Sequence, residues 1–276
     1  MNTTTKTEIK QAIAIYCEAK GFSQNELSRQ TGVSSATISK ILNNNWESID
    51  DRLWLKLKSK VETSLNELFD TADLKSVINL CAIARNNHFM IGLTADTGMG
   101  KTTALKHVSR NKNTLYVVYD KTMKPRQFFV ALLKEMGIAF EGSLNEMVNM
   151  IADELNTLEH PLVIIDEAGK ITHTMILYLH VLRDKTLNNC GFVLAGMPYF
   201  KNNLLKYSNK QKEGYAEFYR RINLWHALNG LSRTEIAYIC NSHNITKAEQ
   251  LKDLQNIKRF GELMNKILLQ KIILNN

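Results

Sequence analysis

The stretch Ala95-Asp96-Thr97-Gly98-Met99-Gly100-Lys101-Thr102-Thr103 decides how this chain is read. A short apolar run, Phe89-Met90-Ile91, leads into it through Gly92-Leu93-Thr94, and a helical pattern from Thr102 to Val108 follows. Strand, glycine-rich turn and helix in that order form a phosphate-binding loop. Successive backbone N–H groups turn inward, and the helix presents its positive dipole end. Asp96, Thr97, Gly98, Met99, Gly100, Lys101, Thr102 and Thr103 are the expected nucleotide contacts. Lys101 is expected to reach the β- and γ-phosphates of ATP, and the Thr102 hydroxyl to ligate Mg²⁺. The pattern G-x-x-x-x-G-K-[ST] is met except at its first position, where Ala95 replaces glycine.

About 65 residues after Lys101 comes Leu162-Val163-Ile164-Ile165-Asp166-Glu167. Four apolar residues, three of them β-branched, read as a buried parallel strand. Its acidic end lies where open α/β sheets bind ligands. Asp166 is expected in the Mg²⁺ shell, and Glu167 as the general base that polarises water. Taken singly, either motif also fits a flexible glycine-rich loop or a solvated acidic turn. Both in this order and spacing point to nucleotide hydrolysis.

The chain has 276 residues, a net charge of +8, 44% hydrophobic and 22% charged residues. Those values suit a globular protein of one large and one small domain. Three prolines and thirteen glycines argue against long low-complexity tracts. The basic balance favours a polyanionic partner such as double-stranded DNA. Cys17, Cys81, Cys190 and Cys240 are widely spaced, as in reduced thiols of a cytoplasmic protein, and do not suggest a disulfide frame or a zinc site. No apolar run approaches the ~20 residues that span a bilayer, so no membrane association is expected.

Residues 1–45 read as a small helical domain. A first helix is expected from Glu8 to Ala19, with Ile9, Ala12, Ile13 and Tyr16 apolar and Gly21 at its end. Ser23-Gln24-Asn25-Glu26 reads as a capping box for a second helix carrying Leu27. Thr31-Gly32-Val33 is a turn, and Ser34 or Ser35 caps a third helix, Ala36 to Leu42. This is the helix-turn-helix arrangement, whose last helix enters the major groove. Ser34, Ser35, Thr37, Ser39 and Lys40 would face DNA; a protein-binding or capping module is the alternative. Residues 46–70, with Trp46, Trp54, Leu55, Leu57, Val61, Leu65 and Leu68, read as an amphipathic helical linker.

Residues 71–230 alternate helix and strand, as in a parallel sheet covered on both faces. The helices are expected at Asp73–Arg85, Pro125–Met136, Leu144–Leu155 and Thr172–Asp184, and the strands at Thr114–Tyr119, Gly191–Ala195 and Leu224–Leu228. Residues 231–276 are expected to form a helical lid over the nucleotide. The fold class is thus α/β, a P-loop ATPase preceded by a small all-α domain. Helix-turn-helix, phosphate loop, Leu162 to Ala168, Phe192-Val193-Leu194-Ala195-Gly196 and Phe218-Tyr219-Arg220-Arg221-Ile222 follow one another in an order that resembles a known family. It is that of the AAA+ activators of transposition, MuB and TnsC, with MuB the closer because of the N-terminal helix-turn-helix.

The resemblance implies several residue roles. Arg221, with Arg220 as alternate, would complete a neighbouring subunit's nucleotide site as an arginine finger. Arg259 would act from the lid on the phosphates. Lys121, Lys124 and Arg126, in the basic loop after the second strand, would track a DNA phosphate strand. In the family an Asn or Thr follows the fourth-strand glycine and orients water; here Met197 stands there and cannot. Slow hydrolysis, stimulated by DNA or a partner, is the expectation. The implied function is an ATP-dependent DNA-binding protein that forms a homo-oligomeric ring or helical filament and delivers target DNA to a transposase. Two alternatives share the fold: a helicase loader of the DnaC or IstB type, and a nucleotide-gated transcription regulator.

Overall fold

The structure, a computed structural model, describes residues 5–7, 9–10, 13–14, 17, 23–47, 49–64, 68–243 and 245–274. It divides into two compact units, Met1–Leu68 and Phe69–Asn276.

The first unit contains α1 (Gln24–Thr31), α2 (Ser35–Leu42) and α3 (Asp51–Ser64). Ile9, Ile13, Leu27, Val33, Ile38, Ile41, Ile49, Trp54 and Leu57 form its core. Of the first expected helix, Glu8, Ala12, Tyr16 and Ala19 lie outside the described residues, as does Gly21. Ser34, rather than Ser35, caps α2: its Oγ accepts from the Thr37 N–H at 3.1 Å. Such a cap is worth about 1 kcal/mol. Ser23 likewise caps α1, accepting from the Glu26 N–H at 3.2 Å. The expected capping box is only half made, because the Glu26 carboxylate pairs with Arg29 instead of returning to Ser23. Residues 46–70 are not a plain linker. Trp54 and Leu57 of α3 are fully buried in the core, whereas Leu55 is exposed. Trp46 precedes α3, stacks edge-on against Trp54 and donates from Nε1 to Ile41 O at 2.9 Å.

The second unit is a five-stranded parallel sheet in the order β2-β3-β4-β1-β5. The strands are β1 (Met90–Thr94), β2 (Thr114–Val118), β3 (Leu162–Asp166), β4 (Gly191–Gly196) and β5 (Ile222–Ala227). Helices α4 (Ala72–Asn86), α5 (Lys101–Val108), α6 (Pro125–Glu135), α7 (Leu144–Thr157), α8 (His173–Lys185), α9 (Tyr199–Asn209) and α10 (Tyr215–Arg220) connect them. The central strands β1, β3 and β4 are buried along their length, which explains their unbroken apolar sequences. Alternate residues serve opposite faces. Ile91, Leu93, Ile164 and Val193 pack with residues of α4 and α5, whereas Val163, Ile165, Phe192 and Leu194 pack with α6 to α10. Several strand boundaries differ from expectation: β2 ends at Val118, β4 at Gly196 and β5 at Ala227. Phe89 falls outside β1 because its N–H donates to Ala84 O of the preceding helix. The fifth strand starts at Ile222, which pairs with Met90 ahead of a register irregularity.

The last three helices, α11 (Arg233–Ser242), α12 (Ala248–Leu254) and α13 (Phe260–Leu274), form a separate apolar cluster. Leu231, Ile236, Ile239, Leu254, Leu263 and Ile267 are buried there, and Phe69 inserts from the start of the unit.

Candidate nucleotide site

The phosphate loop joins β1 to α5 at the C-terminal edge of the sheet. Gly98 and Gly100 have φ of 80° and 90°, a region that favours glycine. Ala95 is absent from the positive-φ residues, so its methyl group brings no backbone strain. Ala95 is buried, and its N–H donates to Gly196 O at 3.1 Å. The missing first glycine is therefore compatible with the loop. Gly100 gives α5 no side-chain cap, so first-turn N–H groups are left for an anion. Lys101 is buried and folds back on the loop, its Nζ donating to Ala95 O at 2.6 Å and Asp96 O at 3.0 Å. Burial lowers its pKa, against the opposing pull of Asp166, Glu167 and Asp96.

Asp166, at the end of β3, is 1% exposed and has three donors. Its Oδ2 accepts from Thr102 Oγ1 at 2.7 Å and from the Tyr116 hydroxyl at 2.9 Å, and its Oδ1 from the Glu167 N–H at 2.8 Å. A hydroxyl and a carboxylate oxygen in contact are hard donors that fit Mg²⁺, which takes few protein ligands and completes its shell with phosphate and water. Among the described residues no cluster of three or more His, Cys, Asp or Glu offers a competing metal site. Glu167 adopts a left-handed backbone, φ 58°, a strained state that non-glycine residues keep chiefly at functional sites. Its carboxylate is paired with Lys170 at 3.3 Å.

The C-terminal helical segment meets the same loop. The Gly261 N–H donates to Gly98 O at 2.8 Å, and Arg259 Nη2 lies 3.5 Å from Asp96 Oδ2. Arg259 thus stands beside the phosphate loop. The hinge between sheet and lid is pinned by Asp73, which accepts from Asn229 N–H at 3.0 Å and Gly230 N–H at 2.8 Å. In return, Glu235 of α11 accepts from the Ala72 N–H at 2.6 Å, at the start of α4.

Arg220 and Arg221 differ in their surroundings. Arg221 is held within its own chain: it forms a bidentate pair with Asp184, with Nη2 2.7 Å from Oδ2, and donates to Glu217 O. Arg220 is exposed, and among the described residues its side chain has no ion pair or hydrogen bond. Met197, just past β4, is half-buried and receives only a long contact from Thr97 Oγ1, 3.7 Å to its sulfur. In the basic loop, Asp120 accepts from both the Thr122 N–H and hydroxyl at 2.7 Å, which fixes the turn. Lys121 and Lys124 are exposed, with no side-chain partner among the described residues, whereas Arg126 donates to Gly142 O at 2.8 Å. In the first unit, Ser34 and Thr37 bond each other at 2.8 Å and are partly spent on capping; Lys40 is exposed. Ser35, Thr37 and Ser39 are half-buried.

Sequence reasoning missed Tyr116, Asp73, Lys170 and Asp184. Tyr116 carries one usable signal: a polar-tipped aromatic in the strand beside the one that ends in Asp166. The other three depend on contacts between remote segments.

Fold and site together define a P-loop α/β unit, with a helix-turn-helix arrangement among the N-terminal helices. Residues 85–204 match the AAA domain family, and residues 13–68 the helix-turn-helix family. The chain is homologous at low identity to ATP-dependent target DNA activator B of Escherichia phage Mu: 23% over 267 residues, 91% of this chain and 82% of that protein. The protein of the same name from Escherichia phage D108 matches to the same extent. Among solved structures, the ORC2 protein of Aeropyrum pernix in its ADPNP–ADP complexes superposes with a TM-score of 0.52 at 16% identity. The match covers 71% of this chain and 61% of that one, and it establishes likeness of fold alone. No helix among the described residues is long and apolar enough to cross a membrane.

Proposed function

We propose that this protein is an ATPase that assembles on duplex DNA and presents that DNA to a transposase. The observation that carries the proposal is the complete phosphate site, Lys101, Thr102 and Asp166, in a chain related over nine-tenths of its length to proteins named ATP-dependent target DNA activators. A bound triphosphate would take Lys101 from the carbonyls of Ala95 and Asp96, while α5 supplies N–H groups to the phosphates. Thr102 and Asp166 would hold Mg²⁺, which neutralises phosphate charge. Arg259 would exchange Asp96 for the nucleotide. Glu167 would take a proton from water once Lys170 lets it go.

Arg220 is the arginine available to a neighbouring subunit without breaking a pair; Arg221 would first have to leave Asp184. A site completed between subunits makes nucleotide a ligand of the assembled state, so ATP favours ring or filament by mass action. Met197 supplies no group to orient water, so hydrolysis is slow and acts as a timer for disassembly. Lys121 and Lys124 follow the DNA phosphates, with Arg126 shaping their loop, and Ser34, Ser35, Thr37 and Lys40 meet a groove through α2. The protein works in the cytoplasm.

The test is electron microscopy of the protein with duplex DNA and a non-hydrolysable ATP analogue. Rings or filaments that vanish in Lys101→Ala are expected. Isolated monomers under all conditions would overturn the proposal.

A further inference from the structure

The Asp166 carboxylate lies in an almost dry setting, so its hydrogen-bond donors decide which way each oxygen faces. Oδ1 is fixed by the Glu167 N–H. Oδ2 is fixed from two sides, by Thr102 Oγ1 on α5 and by the Tyr116 hydroxyl on β2. Tyr116 stands opposite Ile164 in the parallel register, two residues short of Asp166, and its ring spans that distance. It packs on the α5 face of the sheet, whereas its neighbours Leu115 and Val117 belong to the opposite face.

This geometry has a consequence for the metal site. Thr102 has a single hydroxyl proton. Donating it to Asp166 Oδ2 leaves the Oγ lone pairs to turn toward a cation. That orientation holds only while Oδ2 stays where it is, and Tyr116 is its second donor, from β2 rather than from α5. We propose that Tyr116 is a positioning residue for Mg²⁺: by fixing Asp166 Oδ2 it sets both the carboxylate and the Thr102 hydroxyl for the metal. The proposal rests on the nucleotide-binding reading of the site.

Partners of this kind, one step removed from the metal, typically contribute 10–100-fold to metal affinity. The experiment is binding of a fluorescent ATP analogue to the full chain across a MgCl₂ titration, with a parallel measurement in EDTA. Tyr116→Phe keeps the ring and removes only the donor. Its Mg²⁺ midpoint is expected to rise roughly 10-fold or more, with analogue affinity in EDTA unchanged. Tyr116→Leu, expected to move the midpoint the same way, keeps the measurement available should the phenylalanine variant not fold. An unmoved midpoint, or a loss of affinity equal in EDTA and Mg²⁺, would overturn the role of Tyr116 while leaving the nucleotide site standing. A wild-type chain that binds the analogue with no Mg²⁺ dependence would overturn both.

Discussion

Gly92 sits in the middle of β1, opposite Trp225 of β5, and a methyl group there has nowhere to go. A Cβ built on Gly92 would lie 2.3 Å from Trp225 Cε3, 2.4 Å from Cζ3 and 2.8 Å from Cδ2. The ring cannot simply retreat, because Phe200 packs against it edge-on and Tyr219 stacks on it at 6.1 Å. Gly92→Ala is therefore expected to destabilise the 69–276 unit by about 1–3 kcal/mol, the usual cost of overpacking. At about 2–4 °C per kcal/mol for a unit of this size, the melting point drops visibly. The background reverses the sign. Without the ring, alanine is a better strand residue than glycine by about 0.5–1 kcal/mol. In Trp225→Ala the same substitution should thus stabilise, although Trp225→Ala itself lowers stability. Urea denaturation of the four proteins, followed by far-ultraviolet circular dichroism, gives the coupling directly. An equal cost of Gly92→Ala in both backgrounds would refute the argument, since the ring would then not be what excludes the methyl group.

Three further outcomes follow from particular contacts. Hydrogen bonds from Arg221 hold the Asp184 carboxyl below its ordinary pKa, so the pair's stabilisation is present above about pH 4 and fades as pH falls through the lower folded value. Asp184 is 42% exposed, so the contribution is at most about 1 kcal/mol; Asp184→Asn should shrink the loss of stability between pH 5 and 3 by that amount in urea titrations, and identical acid limbs would contradict it. Met197→Asn restores a polar group beside Thr97 and should raise steady-state phosphate release roughly 10-fold; an unchanged rate would show that hydrolysis is limited elsewhere. Lys121→Ala should lower the slope of log affinity for duplex DNA against log salt by about 1, with no change in sequence preference, and an unaltered slope would remove Lys121 from the interface.

The nucleotide site was legible because its chemistry is local. A loop of nine residues carries its own backbone geometry, and an apolar strand ending in Asp166 announces both its burial and the carboxylate at its tip. The sheet was legible for the same reason, as runs buried on both faces leave no alternation to misread. What escaped was decided by distant packing. Asp73 meets the Gly230 N–H across 157 residues, and nothing near either residue signals the pair. The pairing of Arg221 with Asp184, 37 residues before it on another helix, is equally unsignalled. The segment 46–70 has the pattern of a free amphipathic helix, yet Trp54 supplies the largest side chain of the first unit's core. Glu26 satisfied a capping pattern, but Arg29, one turn on, competed for its carboxylate.

The central claim is that triphosphate gripped by Lys101 drives this chain onto duplex DNA. Fluorescence anisotropy of a labelled duplex, titrated with protein at fixed salt with and without Mg-ATP, tests it most directly. Tight, cooperative binding that requires Mg-ATP and is lost in Lys101→Ala is the predicted result. Binding of equal strength with and without nucleotide, or undiminished in Lys101→Ala, would contradict it.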